Sequence, residues 1–148
     1  MLALERRCST AAHWTQQQYQ LSIQSSDEAF RRLVLVAQPA SPSENRSAGI
    51  LGFLVARRLG SDWELENIVV SEMFQREGIG RRLLEELLSE TRETGGDALF
   101  LEVRESNTAA RSLYEQVGFQ PAGRRKSYYQ DPQEDGILYR RSLSQALS

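Results

Sequence analysis

Apolar positions along the chain change period several times, and each change marks an element. From Ile79 the apolar residues Ile79, Leu83, Leu84, Leu87 and Leu88 recur at helical spacing, and Gly95-Gly96 stops the pattern, predicting an amphipathic helix over Ile79 to Thr94. Upstream, two apolar, β-branched runs predict strands over Phe30 to Gln38 and Gly49 to Leu59. The polar, turn-forming cluster that joins them, Pro39 to Gly49, predicts antiparallel pairing. After the turn residues Gly60-Ser61-Asp62 a third strand is expected over Trp63 to Ser71, with Leu65, Asn67 and Val69 on one face. Ala98 to Glu105 alternates as a strand, and Ser106 to Gly118 reads as a helix capped by Ser106 or Asn107 and closed by Gly118. The chain then predicts a hairpin over Ser127 to Leu143 with its turn at Asp131 to Gly136. The first 24 residues read as one or two short helices broken near His13-Trp14-Thr15, with Thr15 capping the second. Strands interleaved with helices give an α/β (α+β) fold, a sheet covered by helices.

Composition narrows the class. At 148 residues the chain is expected to be one domain over 1–148, and 40% hydrophobic with 26% charged residues is ordinary for a globular protein. No apolar run approaches the ~20 residues needed to span a bilayer, and no basic-then-apolar leader opens the chain. The lone Cys8 has no internal disulfide partner, and no Cys/His cluster has metal-ligand spacing. A cytoplasmic, metal-free protein without a membrane segment is therefore expected. The net charge of −2 gives no support for direct nucleic-acid binding. Lys126 is the only lysine among 18 basic residues, a skew read as genome composition rather than as phosphate recognition.

Two glycines stand where the strongest helix begins, although glycine costs roughly 1 kcal/mol relative to alanine inside a helix. Glycine-rich turns entering helix N-termini are anion sites, because unpaired N–H groups and the positive dipole end point at one place. The stretch "QREGIG", Gln75 to Gly80, is not a P-loop, since Arg81-Arg82 stand where Lys-Ser/Thr is required. It is not a Rossmann fingerprint either, since Leu83 stands where the third glycine belongs. What remains is Q-x-x-G-x-G between a strand and a helix.

That pattern resembles the pyrophosphate loop of the GCN5-related N-acetyltransferases (GNAT superfamily). "LFLEVRESNTAARSLYEQVGF", Leu99 to Phe119, is similar to the last strand and helix of the RimI-type branch, which acetylates the N-terminal alanine of a ribosomal protein. The tail "RRKSYYQDPQEDGILYRR" resembles that branch's R-x-x-Y-Y…E-D-x-I hairpin with one extra residue, and His13-Trp14-Thr15 its early Trp-Ser/Thr motif. The resemblance implies a central, mixed, mostly antiparallel sheet flanked by helices. The family fold starts with a strand before the first helix, and here that first edge strand is expected to be missing.

The resemblance also implies a site. Acetyl-CoA would be the co-substrate, its pantetheine arm paired with the backbone of Ile68, Val69 and Val70. Its diphosphate would sit on Gln75, Arg76, Glu77, Gly78, Ile79, Gly80 and Arg81, where Gly78 and Gly80 carry no side chain to hold phosphates off the backbone. Asn107 would add a hydrogen bond to the cofactor. Glu102 matches the branch's general base and Tyr114 its general acid. Strand alternation puts Glu102 opposite Leu101 and Val103, away from the main buried face. Its ordinary value near ~4.3 is low for direct work, so burial or a relaying water is expected to help it. A phenol near ~10 lies close enough to a thiol near ~8.5 for Tyr114 to protonate the leaving sulfur. Trp14, Tyr128 and Tyr129 are candidates for the acceptor groove, with a core role equally open. The implied partner is a protein N-terminus, such as that of a ribosomal protein. An acetyltransferase of lysine or small amines, and a non-catalytic acyl-CoA-binding module, remain alternatives.

Overall fold

The computed structural model describes residues 31–38 and 49–144. Within them run β1 (Arg32–Ala37), β2 (Gly52–Leu59), β3 (Asp62–Val70), a short 3-10 turn (Glu72–Phe74), α1 (Ile79–Glu93), β4 (Ala98–Arg104), α2 (Thr108–Gln116), β5 (Gln120–Tyr129) and β6 (Glu134–Ser142). The strands form one sheet in the order β1-β2-β3-β4-β6-β5. Every pairing is antiparallel except β3 with β4, so the sheet is mixed and mostly antiparallel as expected. The expected N-terminal helices, with Cys8, His13, Trp14 and Thr15, and the expected loss of a first strand fall outside the described residues.

The apolar stripe of α1 does what its spacing predicts. Leu83, Leu84, Leu87 and Leu88 are buried and join Leu54, Ala56, Trp63, Leu65, Leu99, Leu101, Val103 and Tyr139 in one core on the helix-covered face of the sheet. β2 is buried on both faces from Gly52 to Ala56, which explains its unbroken apolar run.

Two strand expectations are corrected. Leu65, Asn67 and Val69 do not share a face. Val55 pairs with Asn67 and Ala56 with Leu65, so Glu66 is an extra residue, a β-bulge that reverses the alternation. Leu65 therefore points into the helix-side core, whereas Asn67 lies on the face of Val55. The bulged Glu66 carboxylate is held by Arg32 at 3.0 Å and Arg57 at 3.4 Å. The terminal hairpin is also longer than expected: β5 begins at Gln120, and β6 begins at Glu134, inside the predicted turn. β5 lies at the edge of the sheet and is exposed along nearly its whole length, so it carries no apolar alternation to read.

Candidate active site

The parallel ladder between β3 and β4 has two rungs, Trp63 with Leu99 and Glu64 with Phe100. Both strands continue past it, β3 to Val70 and β4 to Arg104, without further pairing to each other. The bulge at Glu66 follows the last rung at once, and a bulge bends and twists the strand that carries it. The result is a wedge. On β3 the backbone edge of Ile68, Val69 and Val70 that faces β4 has no ladder partner among the described residues. Gln75 folds back across the wedge's end of β3, its Nε2 donating to the Val70 carbonyl at 3.2 Å.

The loop after β3 delivers the chain to the N-terminus of α1. Gly78 is the N-cap at φ 81°, with no side-chain cap, and a Cβ there would meet nothing within 4 Å. Arg76 also has positive φ, 68°. The first-turn amides of Ile79, Gly80 and Arg81 have no intrahelical acceptor and lie at the positive end of the helix dipole. Residues Gln75 to Gly78 are exposed, including the Glu77 carboxylate. Gly80 has a different reason to be glycine. Its Cβ would lie 3.2 Å from Leu113 Cδ2 and 3.6 Å from Val70 Cγ2, so its close approach is to α2 and β3 inside the protein. Arg81 is tied along the helix to Glu85 at 3.0 Å, while Arg82 is exposed.

Glu102 sits in β4 between the buried Leu101 and Val103, on the face away from the helices, as alternation requires. Its Oε1 forms an ion pair with Arg125 Nε at 2.9 Å, and its Oε2 is buried with no hydrogen-bond partner among the described residues. Tyr128 and Tyr129 close in from β5, with ring centroids 5.1 Å apart at 88°. Tyr128 is held above its ordinary value, first by the charge of Glu102. Tyr129 is pushed up to about 12, first by burial and then by Glu102. The structure thus brings both tyrosines to Glu102.

A second layer holds this corner in place. The Arg104 guanidinium lies 4.5 Å from the Tyr129 ring centroid and donates to the carbonyls of Gln130 at 3.0 Å and Pro132 at 3.2 Å. It also meets Glu134 at 3.4 Å. Hydrogen bonding from Ser106 holds the Glu134 carboxyl below its usual range. Arg104, Arg125 and Glu134 were not singled out in the sequence. Arg125 stands within the R-x-x-Y-Y resemblance, but nothing in spacing alone pairs it with Glu102.

Tyr114 lies on the other side of the sheet, buried in the helix-side core beside Phe119 at 5.9 Å and Tyr139 at 6.2 Å. Burial, and then the neighbouring Tyr129, raises its phenol well above the usual value. The match to a thiol assumed from the free phenol is therefore corrected: Tyr114 is a weaker acid than the sequence suggested. Asn107 is the N-cap of α2, its Oδ1 accepting from the Ala110 amide at 3.2 Å, which settles the capping choice against Ser106.

Among the described residues no helix is long and apolar enough to cross a membrane. Residues 2–119 match the family model described as "Acetyltransferase (GNAT) family". The [Ribosomal protein bS18]-alanine N-acetyltransferase of Escherichia coli K12 is 43% identical over 88 residues, which cover 58% of this chain and 60% of that protein. N-alpha-acetyltransferase RimI of Mycobacterium tuberculosis is 44% identical over 101 residues, covering 65% of this chain and 62% of that one. The matched stretch thus spans about 60% of the length of these curated relatives. The crystal structure of the Escherichia coli ribosomal-protein-S18-alanine N-acetyltransferase superposes with a TM-score of 0.76 at 32% identity, covering 98% of this chain and 86% of its own. Ard1 from Thermoplasma volcanium has the same fold, with a TM-score of 0.80 at 23% identity over 98% of this chain and 90% of its own. With the split β3–β4 ladder and the open N-terminus of α1 in place, these matches show that the chain belongs to the GNAT acetyltransferase family.

Proposed function

We propose that this chain, as a single domain, transfers the acetyl group of acetyl-CoA to the N-terminal α-amino group of a protein by direct attack in a ternary complex. The opening of the β3–β4 ladder after Glu64 and Phe100 carries the reading. Among the described residues this opening lies between the face bearing Glu102 and the face bearing Tyr114.

Bound acetyl-CoA would supply an activated acyl carbon and a thiolate leaving group. The free edge of Ile68, Val69 and Val70 presents backbone groups that suit the amides of an extended pantetheine arm, as an added strand would. The uncapped amides from Gly78 to Arg81, with Arg76 and Arg82 nearby, suit a diphosphate. Asn107 is committed to its cap, so a contact from it to the cofactor would come from its amide nitrogen. Glu102 takes the proton of the attacking amine through Oε2, the oxygen that Arg125 leaves free. Tyr114 stays protonated at every working pH and donates to the departing sulfur. Because its raised value makes full transfer to a free thiolate uphill, the donation accompanies cleavage of the carbon–sulfur bond. Tyr128 and Tyr129 wall the acceptor site.

An α-amine suits this machinery. With a pKa near ~8, roughly a tenth of such amines are neutral at pH 7, against well under a thousandth of lysines near ~10.4. The relatives' names point to an alanine N-terminus of a ribosomal protein as the acceptor. Mass spectrometry of peptide libraries varied at the first two residues, after incubation with acetyl-CoA, tests this. Acetylation confined to N-terminal amines, and best after alanine, is expected. Modification only of lysine side chains or free small amines would overturn it, and acetyl-CoA binding without thiol release would leave a binding module.

A further inference from the structure

Arg125 is an unusual partner for a base. Its side chain is 59% exposed while that of Glu102 is 15% exposed. An ion pair with one partner largely in water contributes little to stability, so folding does not explain the contact. Its geometry does something else. Arg125 belongs to β5 and Glu102 to β4, with β6 between them. Arg125 pairs with Gly136 of β6, and Gly136 pairs in turn with Arg104 of β4. The missing side chain at Gly136 lets a guanidinium cross β6 on the face that Glu102 shares.

The same crossing places Tyr128. Between Arg125 and Tyr129 the β5 register slips, with Ser127 at φ 54° and its amide donating to Asp135 Oδ1 at 2.9 Å. This lays Tyr128 and Tyr129 over Gly136, where a Cβ would come within 3.3 Å and 3.2 Å of their rings. The Arg125 guanidinium then lies 5.4 Å from the Tyr128 ring centroid. Arg125 thus bridges Glu102 and Tyr128, its guanidinium paired with the carboxylate and set over the ring. The other nearby cation, Arg104, is committed to Glu134, the turn carbonyls and Tyr129.

We propose that Arg125 is a positioning residue for acetyl transfer: it anchors Glu102 by Oε1, turns Oε2 toward the acceptor amine, and holds Tyr128 as one wall of the acceptor site. The proposal rests on Glu102 being the base. The amine then approaches a carboxylate whose second oxygen is already fixed, and no ion pair has to break for the proton to move. Fixing a reacting group in this way acts on turnover rather than on cofactor affinity.

Arg125→Ala and Arg125→Lys, each alone and combined with Glu102→Gln, are compared with an alanine-starting peptide by thiol release and by thermal denaturation. R125A is expected to lower kcat about tenfold, with the KM for acetyl-CoA and the thermal midpoint unchanged. R125K is expected to recover part of that loss, since an ammonium restores the charge at Oε1 but not the flat face over Tyr128. In the E102Q background R125A should cost less than about twofold more, because both act through one group. A wild-type kcat in R125A overturns the proposal, and so does a tenfold loss that persists undiminished in E102Q. E102Q at the wild-type rate would instead remove the base assignment and Arg125's role with it. A slow E102Q beside a normal R125A would sink the Arg125 proposal alone.

Discussion

Glu64 and Phe100 form the last rung between β3 and β4, and everything that looks like a site lies beyond them. Two parallel strands that stayed paired would bury the backbone edge of Ile68 to Val70 and wall Glu102 off from Tyr114. The bulge at Glu66, fixed by two arginines, stops that from happening.

If the wedge is where an amine meets a thioester, Glu102→Gln should reduce kcat by about a hundredfold, the ordinary contribution of a general base. Acetyl-CoA affinity, measured by calorimetry, should not change. A variant that bound acetyl-CoA weakly and turned over at the normal rate when saturated would move Glu102 from the base role to the cofactor site.

Tyr114 and Tyr129 bind their protons more tightly in the folded protein than in the unfolded chain. The sign follows: the stability this contributes is fully present below the unfolded value near ~10 and is lost as pH rises through the folded values. Thermal midpoints should therefore be insensitive to these groups through neutrality and fall above about pH 10. Tyr114→Phe should flatten that alkaline decline and, separately, lower kcat with peptide acceptors at pH 7.5. An equally steep decline in the variant would show that Tyr114 does not titrate with unfolding.

Gly78 and Gly80 should fail in different ways. Gly78→Ala forces a side chain to φ 81° in open space, a purely backbone cost of about 1 kcal/mol, and Gly78→Asn should cost less. Because those amides are the proposed diphosphate contacts, acetyl-CoA affinity should fall with it. Gly80→Ala instead crowds Leu113, so lower thermal stability is expected before any change in affinity. Titration calorimetry beside thermal melts separates the two; identical profiles would show that the glycines share one role.

Arg104→Ala should loosen the β5–β6 turn by removing its bonds to Gln130, Pro132 and Glu134 together with its contact to Tyr129. The expected result is a KM for the acceptor peptide raised about fivefold, with the KM for acetyl-CoA unchanged. An effect confined to acetyl-CoA would place this turn on the cofactor side.

Local signals were readable wherever a single element decides the outcome. The stripe of α1, a cap at Ser106 or Asn107, the glycine turn before α1 and the outward face of Glu102 each depend on residues within a turn or two of one another. Their periodicity is therefore a property of the sequence itself. The exposed edge strand β5 left no such trace, because water on both faces imposes no alternation. Pairing between strands is another matter. Where Asn67 points depends on which residue β2 offers to it, and one extra residue at Glu66 reverses the answer. Likewise, the value of the Tyr114 phenol depends on how completely the core closes over it, and the partner of Glu102 on a strand two places away that crosses a glycine. The sequence by itself determined α1, α2, the glycine turn that opens α1 and the residue types of the proposed chemistry. Only the tertiary structure decided that the ladder opens, and that Arg125 takes one oxygen of Glu102 and leaves the other, because both depend on register between strands distant in the chain.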